Sequence, residues 1–304
     1  MRRSLRLVAV ALFLAGCNAS PKQETLPPKQ VSLKDAVAVE GPPPDGRFYV
    51  KAGERDLDSD LYGMTFSPPG FERLTKDSRV TTVGGCEQKV VVAAAQRKVG
   101  YADRLQELRA GKLAPVEALG LEIGSNPNVD DDCRILYIRL ADAEPPVQEI
   151  KLWDPAKGTS STVTSGETVY GASWGPGGEI AVLKREPGPK LHIIRPDGSE
   201  IEIDPQAPDV GNVQWGRGGW MAMAVFEPRK PPTATLFLNP ATGERSMLEG
   251  WLPLDWSPDG NQVLVTDSQK GTTLGVVDLP DLTKVRPVGA STVGTVWDAV
   301  WLPA

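Results

Sequence analysis

The sequence predicts an all-β fold, a six-bladed β-propeller, on three observations. A tryptophan followed by a small residue and a Pro/Gly-rich turn recurs through the second half of the chain. Trp174, Trp215 and Trp256 carry it, and Trp301 in the closing strand keeps the period, at spacings of 41, 41 and 45 residues. An apolar run follows each of the first three, with no polar face. A fixed period of about 40 to 45 residues marks a propeller or a solenoid.

The copies read GASWGPGGEIAVLK from Gly171, NVQWGRGGWMAMAVF from Asn212 and LDWSPDGNQVLV from Leu254. In each, a short strand ends at the tryptophan and a Pro/Arg-Asp/Gly-Gly turn reverses the chain. Proline presets φ at the first turn position, and glycine takes the left-handed conformation that closes a tight hairpin. The second strand, IAVL at 180–183 or MAMAVF at 221–226, is apolar on both faces and suits a sheet held between two others. A third strand follows in LHIIRPDG from Leu191, TATLFLNPATG from Thr233 and TTLGVVDLPD from Thr272. A more polar fourth strand follows in SEIEI from Ser199, ERSML from Glu244 and KVRPV from Lys284. Four strands per period, each paired with the last, make one blade.

Counting units places blades at 61–115, 116–165, 166–207, 208–249 and 250–290, with GMTFSPPG from Gly63 as a weak early copy of the motif. The closing VWDAVWLPA is a lone inner strand that would leave an open edge. RFYV at 47–50 is strand-like and completes a sixth blade with it. One segment departs from the pattern: DRLQELRAG at 103–111 has an Asp cap, Gln three residues on and a terminal glycine. It predicts a helix of one to two turns inserted in the first blade.

The N-terminus reads MRRSLRLVAVALFLAGC. Arg2, Arg3 and Arg6 precede an apolar stretch at 7–15 that is too short to span a bilayer. LAGC at 14–17 resembles the bacterial lipobox. That resemblance implies a signal peptide over 1–16, cleavage before Cys17 and lipid attachment at Cys17, with two or more acyl chains giving a stable anchor. Residues 17–44, rich in Pro, Lys, Gln and Ser, read as an extended, poorly ordered tether, and 45–304 as the propeller. The implied location is extracytoplasmic: the periplasmic face of an outer membrane, which Asn18 permits, or the outer face of the plasma membrane in a host with one membrane. Loss of the signal leaves 30 basic against 39 acidic residues, a net charge of −9 that argues against nucleic acid as a partner.

With Cys17 taken by lipid, Cys86 and Cys133 remain. In an oxidising envelope compartment such an isolated pair forms a disulfide, and the absence of C-x-x-C spacing weighs against zinc.

W-S-P-D-G before an apolar strand, with D-P-x-x-G or P-D-G between the third and fourth strands, resembles the TolB-type, WD-repeat-like propeller repeat. The resemblance is clear from about Ile135 onward and degenerate before it. The α/β domain that precedes the propeller in that family has no counterpart here. What the resemblance implies is a membrane-anchored interaction module that contacts another envelope protein, non-enzymatic and without a cofactor. The alternative is a ligand-binding or metal-dependent enzyme using carboxylates in the central channel.

Three sets of residues invite a chemical reading. GASWG at 171–175 matches the G-x-S-x-G nucleophile elbow, which requires a strand, a sharp turn and a helix. Ser173 instead precedes a hairpin turn, and the single histidine, His192, lies in the same blade, so the segment reads as the repeat's own corner. A lone histidine also weakens most acid–base and metal chemistry. Asp56, Asp58 and Asp60 alternate as in a calcium loop, but Leu61 stands where the loop needs glycine and Ser67 where it needs an acid. Asp130, Asp131 and Asp132 read as a solvated loop beside Cys133. Calcium at either acidic cluster stays open on sequence alone.

Overall fold

Strands that are apolar on both faces need a sheet on each side, and a closed ring of sheets supplies both. The computed structural model describes residues 41–304 except 88, 96–102, 111, 117–124, 142–146, 167, 186, 228 and 283, together with 32–33 and 37–38. It is such a ring, built of six sheets whose four blade strands pair antiparallel. The signal segment and Cys17 lie outside the described residues.

Blade 1 joins the two ends of the chain. Its innermost strand is the C-terminal Thr295–Leu302, followed outward by Arg47–Gly53, Asp60–Phe66 and Pro69–Arg73. Trp301 pairs with Phe48 across that closure. The other blades each use a continuous stretch of chain, from inside to outside. Blade 2 comprises Val80–Cys86, Lys89–Ala95, Asp103–Arg109 and Lys112–Pro115. Blade 3 comprises Ser125–Val129, Ile135–Ala141, Val147–Asp154 and Thr159–Gly166. Blade 4 has Val169–Trp174, Ile180–Arg185, Pro189–Ile194 and Glu200–Ile203. Blade 5 has Val210–Trp215, Met221–Val225, Ala234–Leu238 and Arg245–Glu249. Blade 6 has Trp251–Trp256, Gln262–Asp267, Thr273–Asp278 and Lys284–Ala290.

The predicted number of blades is right and the closure is the one expected. Three local expectations in the first third are not. The unit placed at 61–115 is divided: Asp60–Phe66 and Pro69–Arg73 belong to blade 1, and blade 2 begins at Val80. GMTFSPPG therefore turns between the third and fourth strands of blade 1, with Phe66 opposite Pro69, and is not a first corner. The expected helix at 103–111 is the strand Asp103–Arg109, paired with Lys89–Ala95 on one side and Lys112–Pro115 on the other. Its capping signals are local and weak, whereas two ladders and the burial of Leu105 are gained only in the sheet. Part of the expected tether is also ordered against the ring. Ser32–Leu33 pairs in parallel with the outer strand of blade 5, and Val37–Ala38 with that of blade 6.

The core lies between blades. Each of its six clusters spans one seam, such as Leu183, Leu191, Val210 and Met223 between blades 4 and 5. Another, Phe48, Met64, Leu264 and Trp301, lies between blades 6 and 1. The second strands read as apolar throughout are buried along their length, Met221–Val225 at every residue. Three first corners repeat one geometry, with Gly178, Gly219 and Gly260 at φ 84°, 83° and 73°. In two of them the glycine after the tryptophan makes room for the next blade's indole. A Cβ on Gly175 would stand 2.7 Å from the Trp215 ring, and one on Gly216 would collide with Trp256. That close approach accounts for the small residue in the motif.

Cys86, at the end of the inner strand of blade 2, is bonded to Cys133, in the first corner of blade 3. The bridge closes a loop of 47 residues in sequence separation and ties neighbouring blades together.

Two outcomes test this packing. Trp256, 6% exposed and edge-on to Phe237, donates its indole N–H to Gln214 O at 3.2 Å. Trp256→Ala is expected to lower the unfolding free energy by about 3 to 5 kcal/mol, read by urea denaturation. Replacing both Cys86 and Cys133 by alanine is expected to cost up to about 4 kcal/mol in the same assay.

Candidate functional site

The innermost strands of all six blades enclose a cavity of about 1740 Å³ along the ring axis. Side chains alternate along an inner strand, so the repeat tryptophan faces the preceding blade and the residue before it faces the following one. Trp174 thus packs into the cluster between blades 3 and 4, while Ser173 turns toward blade 5.

These second positions form a relay around the channel. Asn128 Oδ1 of blade 3 accepts the backbone N–H of Trp174 at 2.9 Å. Ser173 Oγ of blade 4 accepts that of Trp215 at 2.9 Å. Gln214 of blade 5 donates its amide to Leu254 O of blade 6. Asp255 Oδ2 of blade 6 accepts Trp301 N–H at 2.7 Å, and Asp298 Oδ2 of blade 1 accepts Val83 N–H at 2.9 Å. The seam from blade 2 to blade 3 has Gly84 pressed against Pro127 O, where a Cβ would stand 2.5 Å away. This is the seam that carries the disulfide.

The relay settles where the sequence-selected residues go. Ser173, 2% exposed, has its hydroxyl occupied by Trp215 N–H, and the chain after it enters a turn and the strand Ile180–Arg185 with no helix. His192 is two strands away and bonds Glu200 Oε1 through Nδ1 at 2.5 Å. The two are not a catalytic pair.

Neither acidic cluster converges on one point. Asp56 pairs with the buried Lys51, and Asp58 lies 3.9 Å from Arg79. Asp60 is buried against Arg73, with Thr75 Oγ1 and Ser78 N donating at 3.0 Å each. Asp130 accepts both the backbone N–H and Nε of Arg134, at 2.8 and 2.6 Å, and that guanidinium lies 4.5 Å over the Trp174 ring. Asp131 pairs with Arg217, reaching from the corner of blade 3 past blade 4 to that of blade 5, and Asp132 is exposed. Among the described residues no group of three or more His, Cys, Asp or Glu side chains is placed to hold a metal ion.

The alternative reading put carboxylates in the channel without naming them, and the structure identifies them as Asp255 and Asp298. Asp255 and Asp298 retain some contact with channel solvent, yet sit so deep that protein surrounds them on most sides. Burial pushes the Asp255 carboxyl up to about 7, against the opposing pull of the Trp301 and Trp256 N–H groups, and Asp298 adds repulsion. Burial raises Asp298 to about 6, with the Val83 N–H and Lys51 opposing it. Lys51 is 3% exposed and donates to Thr81 O at 2.6 Å. Beside Asp298, at a bulge in the closure, Trp297 remains 41% exposed on the channel wall. One signal for Asp255 was present: it occupies the position before the tryptophan that Ser173 and Gln214 hold.

Between about pH 4 and 7 the folded ring keeps protons on Asp255 and Asp298 that the unfolded chain has released. Stability therefore falls as pH rises through that window and levels off above it. Asp255→Asn keeps an acceptor for Trp301 N–H and removes the buried charge. The variant is expected to match the wild type at pH 4 and to exceed it at pH 8 by on the order of 1 to 3 kcal/mol, read as melting temperature against pH.

No family model and no curated protein matches the chain. Solved structures do. TolB from Acinetobacter baumannii superposes with a TM-score of 0.68 at 14% identity, over 85% of this chain and 67% of TolB. A gluconolactonase from Xanthomonas campestris gives 0.53 at 13% identity, over 74% of this chain and 85% of the enzyme. An oligogalacturonate lyase in complex with manganese gives 0.50 at 13% identity, over 82% and 78%. At these identities the likeness is one of fold. The chain is a six-bladed β-propeller of TolB-like fold.

Proposed function

We propose that this protein is a membrane-anchored, extracytoplasmic lipoprotein whose propeller is a non-enzymatic binding module for another protein of the cell envelope. The observation that carries this reading is the use of the inner polar residues. Ser173, Asn128, Gln214, Asp255 and Asp298 each bond a neighbouring blade and hold the ring together. A residue spent on a seam is poorly placed for chemistry, whereas a rigid ring with a wide mouth suits recognition. Trp297, an exposed aromatic on the channel wall, is the kind of side chain that anchors an interface. The anchor at Cys17 and the envelope location rest on the LAGC segment.

A second reading is favoured by one specific observation. Asp255 and Asp298 are raised carboxyls that share a cavity, and such groups are candidates for proton transfer or ligand binding. Gluconolactonase and oligogalacturonate lyase are named for activities that propellers of this general shape support.

Pull-down of the mature protein from native membranes is expected to recover one stoichiometric envelope protein. Trp297→Ala is expected to weaken that capture at least about tenfold without lowering the melting temperature. Reproducible absence of a partner, together with a metal- or sugar-acid-dependent melting shift lost in Asp255→Asn, would replace this reading with the second.

A further inference from the structure

Every innermost strand carries a β-bulge, which interrupts its ladder to the next strand once in each blade. In order from blade 1 to blade 6 the bulges fall at Trp297, Thr81, Asn126, Tyr170, Asn212 and Leu254. In each blade that has a relay residue the bulge precedes it, toward the mouth opposite the tryptophan corners. A bulge re-aims the side chain it carries. The six are not used alike. Leu254 is buried, and Thr81 and Tyr170 are half-buried, with the Arg185 guanidinium 4.8 Å over the Tyr170 ring. Trp297, Asn126 and Asn212, on alternate blades, are exposed and line one cavity.

The two asparagines differ from the rest of their kind. Asn128, Asn239 and Asn261 each hold a partner through the side chain. Asn126 and Asn212 hold none among the described residues, and both have a left-handed backbone, with φ 50° and 52°. Glycine takes that conformation at lower cost. A carboxamide kept there without an internal bond is available to a ligand. Charge at this mouth, by contrast, is already spent. Lys51 pairs with Asp56, Arg79 lies 3.9 Å from Asp58, and Asp267 accepts the N–H groups of Lys270, Thr272 and Thr273. Glu54 and Lys270 add one charge of each sign.

A ligand here needs no net charge. It needs a flat apolar face for the indole, and hydroxyls that can donate to and accept from the two amides. Sugar rings present both, with C–H groups on a face and hydroxyls around the edge. We propose that Trp297, Asn126 and Asn212 form a binding site for a neutral saccharide at this mouth of the channel. The site goes beyond the protein contact proposed above and does not depend on it. Trp297 suits either ligand, whereas the two amides, each a donor and an acceptor at once, match vicinal hydroxyls.

Calorimetric titration of the full mature chain with cellotetraose, maltotetraose and chitotetraose tests it. At least one of these sugars is expected to bind saturably at a single site. Trp297→Ala, Asn126→Gly and Asn212→Gly are each expected to weaken that binding at least about tenfold, through loss of one stacking or hydrogen-bonding contact. The glycine variants keep the left-handed backbone, so their melting temperatures are expected not to fall. Absence of binding by every sugar at millimolar concentration would overturn the proposal, as would wild-type affinity in both glycine variants. Loss of the captured envelope protein in those variants, with no sugar bound by the wild type, would assign the amides to the protein partner and overturn it too. Saturable sugar binding beside an empty pull-down would leave this site standing and remove the protein-binding reading.

Discussion

The structure depends on its seams. Within a blade, backbone ladders bind one strand to the next, but no ladder crosses from one blade to another. Side chains do most of the joining, beside isolated backbone bonds such as Val80 N–H to Ser59 O at 2.9 Å and Val296 N–H to Gly271 O at 2.7 Å. The apolar clusters supply most of the attraction, and being non-directional they do not fix how far each blade turns about the ring axis. The relay of Asn128, Ser173, Gln214, Asp255 and Asp298 does, because each hydrogen bond ties a defined point of one inner strand to a defined point of the next. The sixth seam shows what happens when the side chain is missing. Gly84 and Gly85 offer nothing to bond with, and a covalent bridge from Cys86 to Cys133 stands in the same place.

The tryptophan motif is the apolar half of this arrangement. Alternation on the inner strand puts the indole in one seam and the polar residue in the other, so the pair X-Trp describes both contacts of a blade at once. The following glycine is the seat for the next blade's indole. The likeness of GASWG to a nucleophile elbow then has a structural origin: its serine is a seam acceptor and its last glycine is a seat for Trp215. Two unrelated constraints converge on the same letters.

Legibility along the chain tracks how strongly each blade uses that motif. From Trp174 onward the strand order and the first corners were readable, because the pattern recurs with little change. The two-ended closure of blade 1 was readable too, since a lone terminal strand demands a partner. Before that, the signals were local ones. Asp103 and Gln106 look like helix caps in isolation, and nothing nearby in sequence announces that Lys89–Ala95 and Lys112–Pro115 will flank the segment. Ser67-Pro68-Pro69-Gly70 carries the turn chemistry of a first corner but serves a third-to-fourth one, and this shifted the boundary between blades 1 and 2. At the channel the reading failed differently. Carboxylates in the channel are foreseeable as a class, whereas Asp255 and Asp298 are identified only by position. The first shares the slot of Ser173, which a comparison between copies exposes; the second follows a bulge that breaks the spacing.

The distribution of acceptors around the ring has a functional consequence. Seams far from the chain ends use Asn128, Ser173 and Gln214, which do not titrate. The two seams flanking blade 1, where the termini meet, use carboxylates. An ionised carboxylate is the stronger acceptor, but burial disfavours its charge, and the balance falls near neutral pH for Asp255. A cationic group entering the channel would stabilise the charged form and compete with Trp301 and Val83 for the same oxygens. Any such group would therefore meet the same two side chains that hold the closing blade to its neighbours.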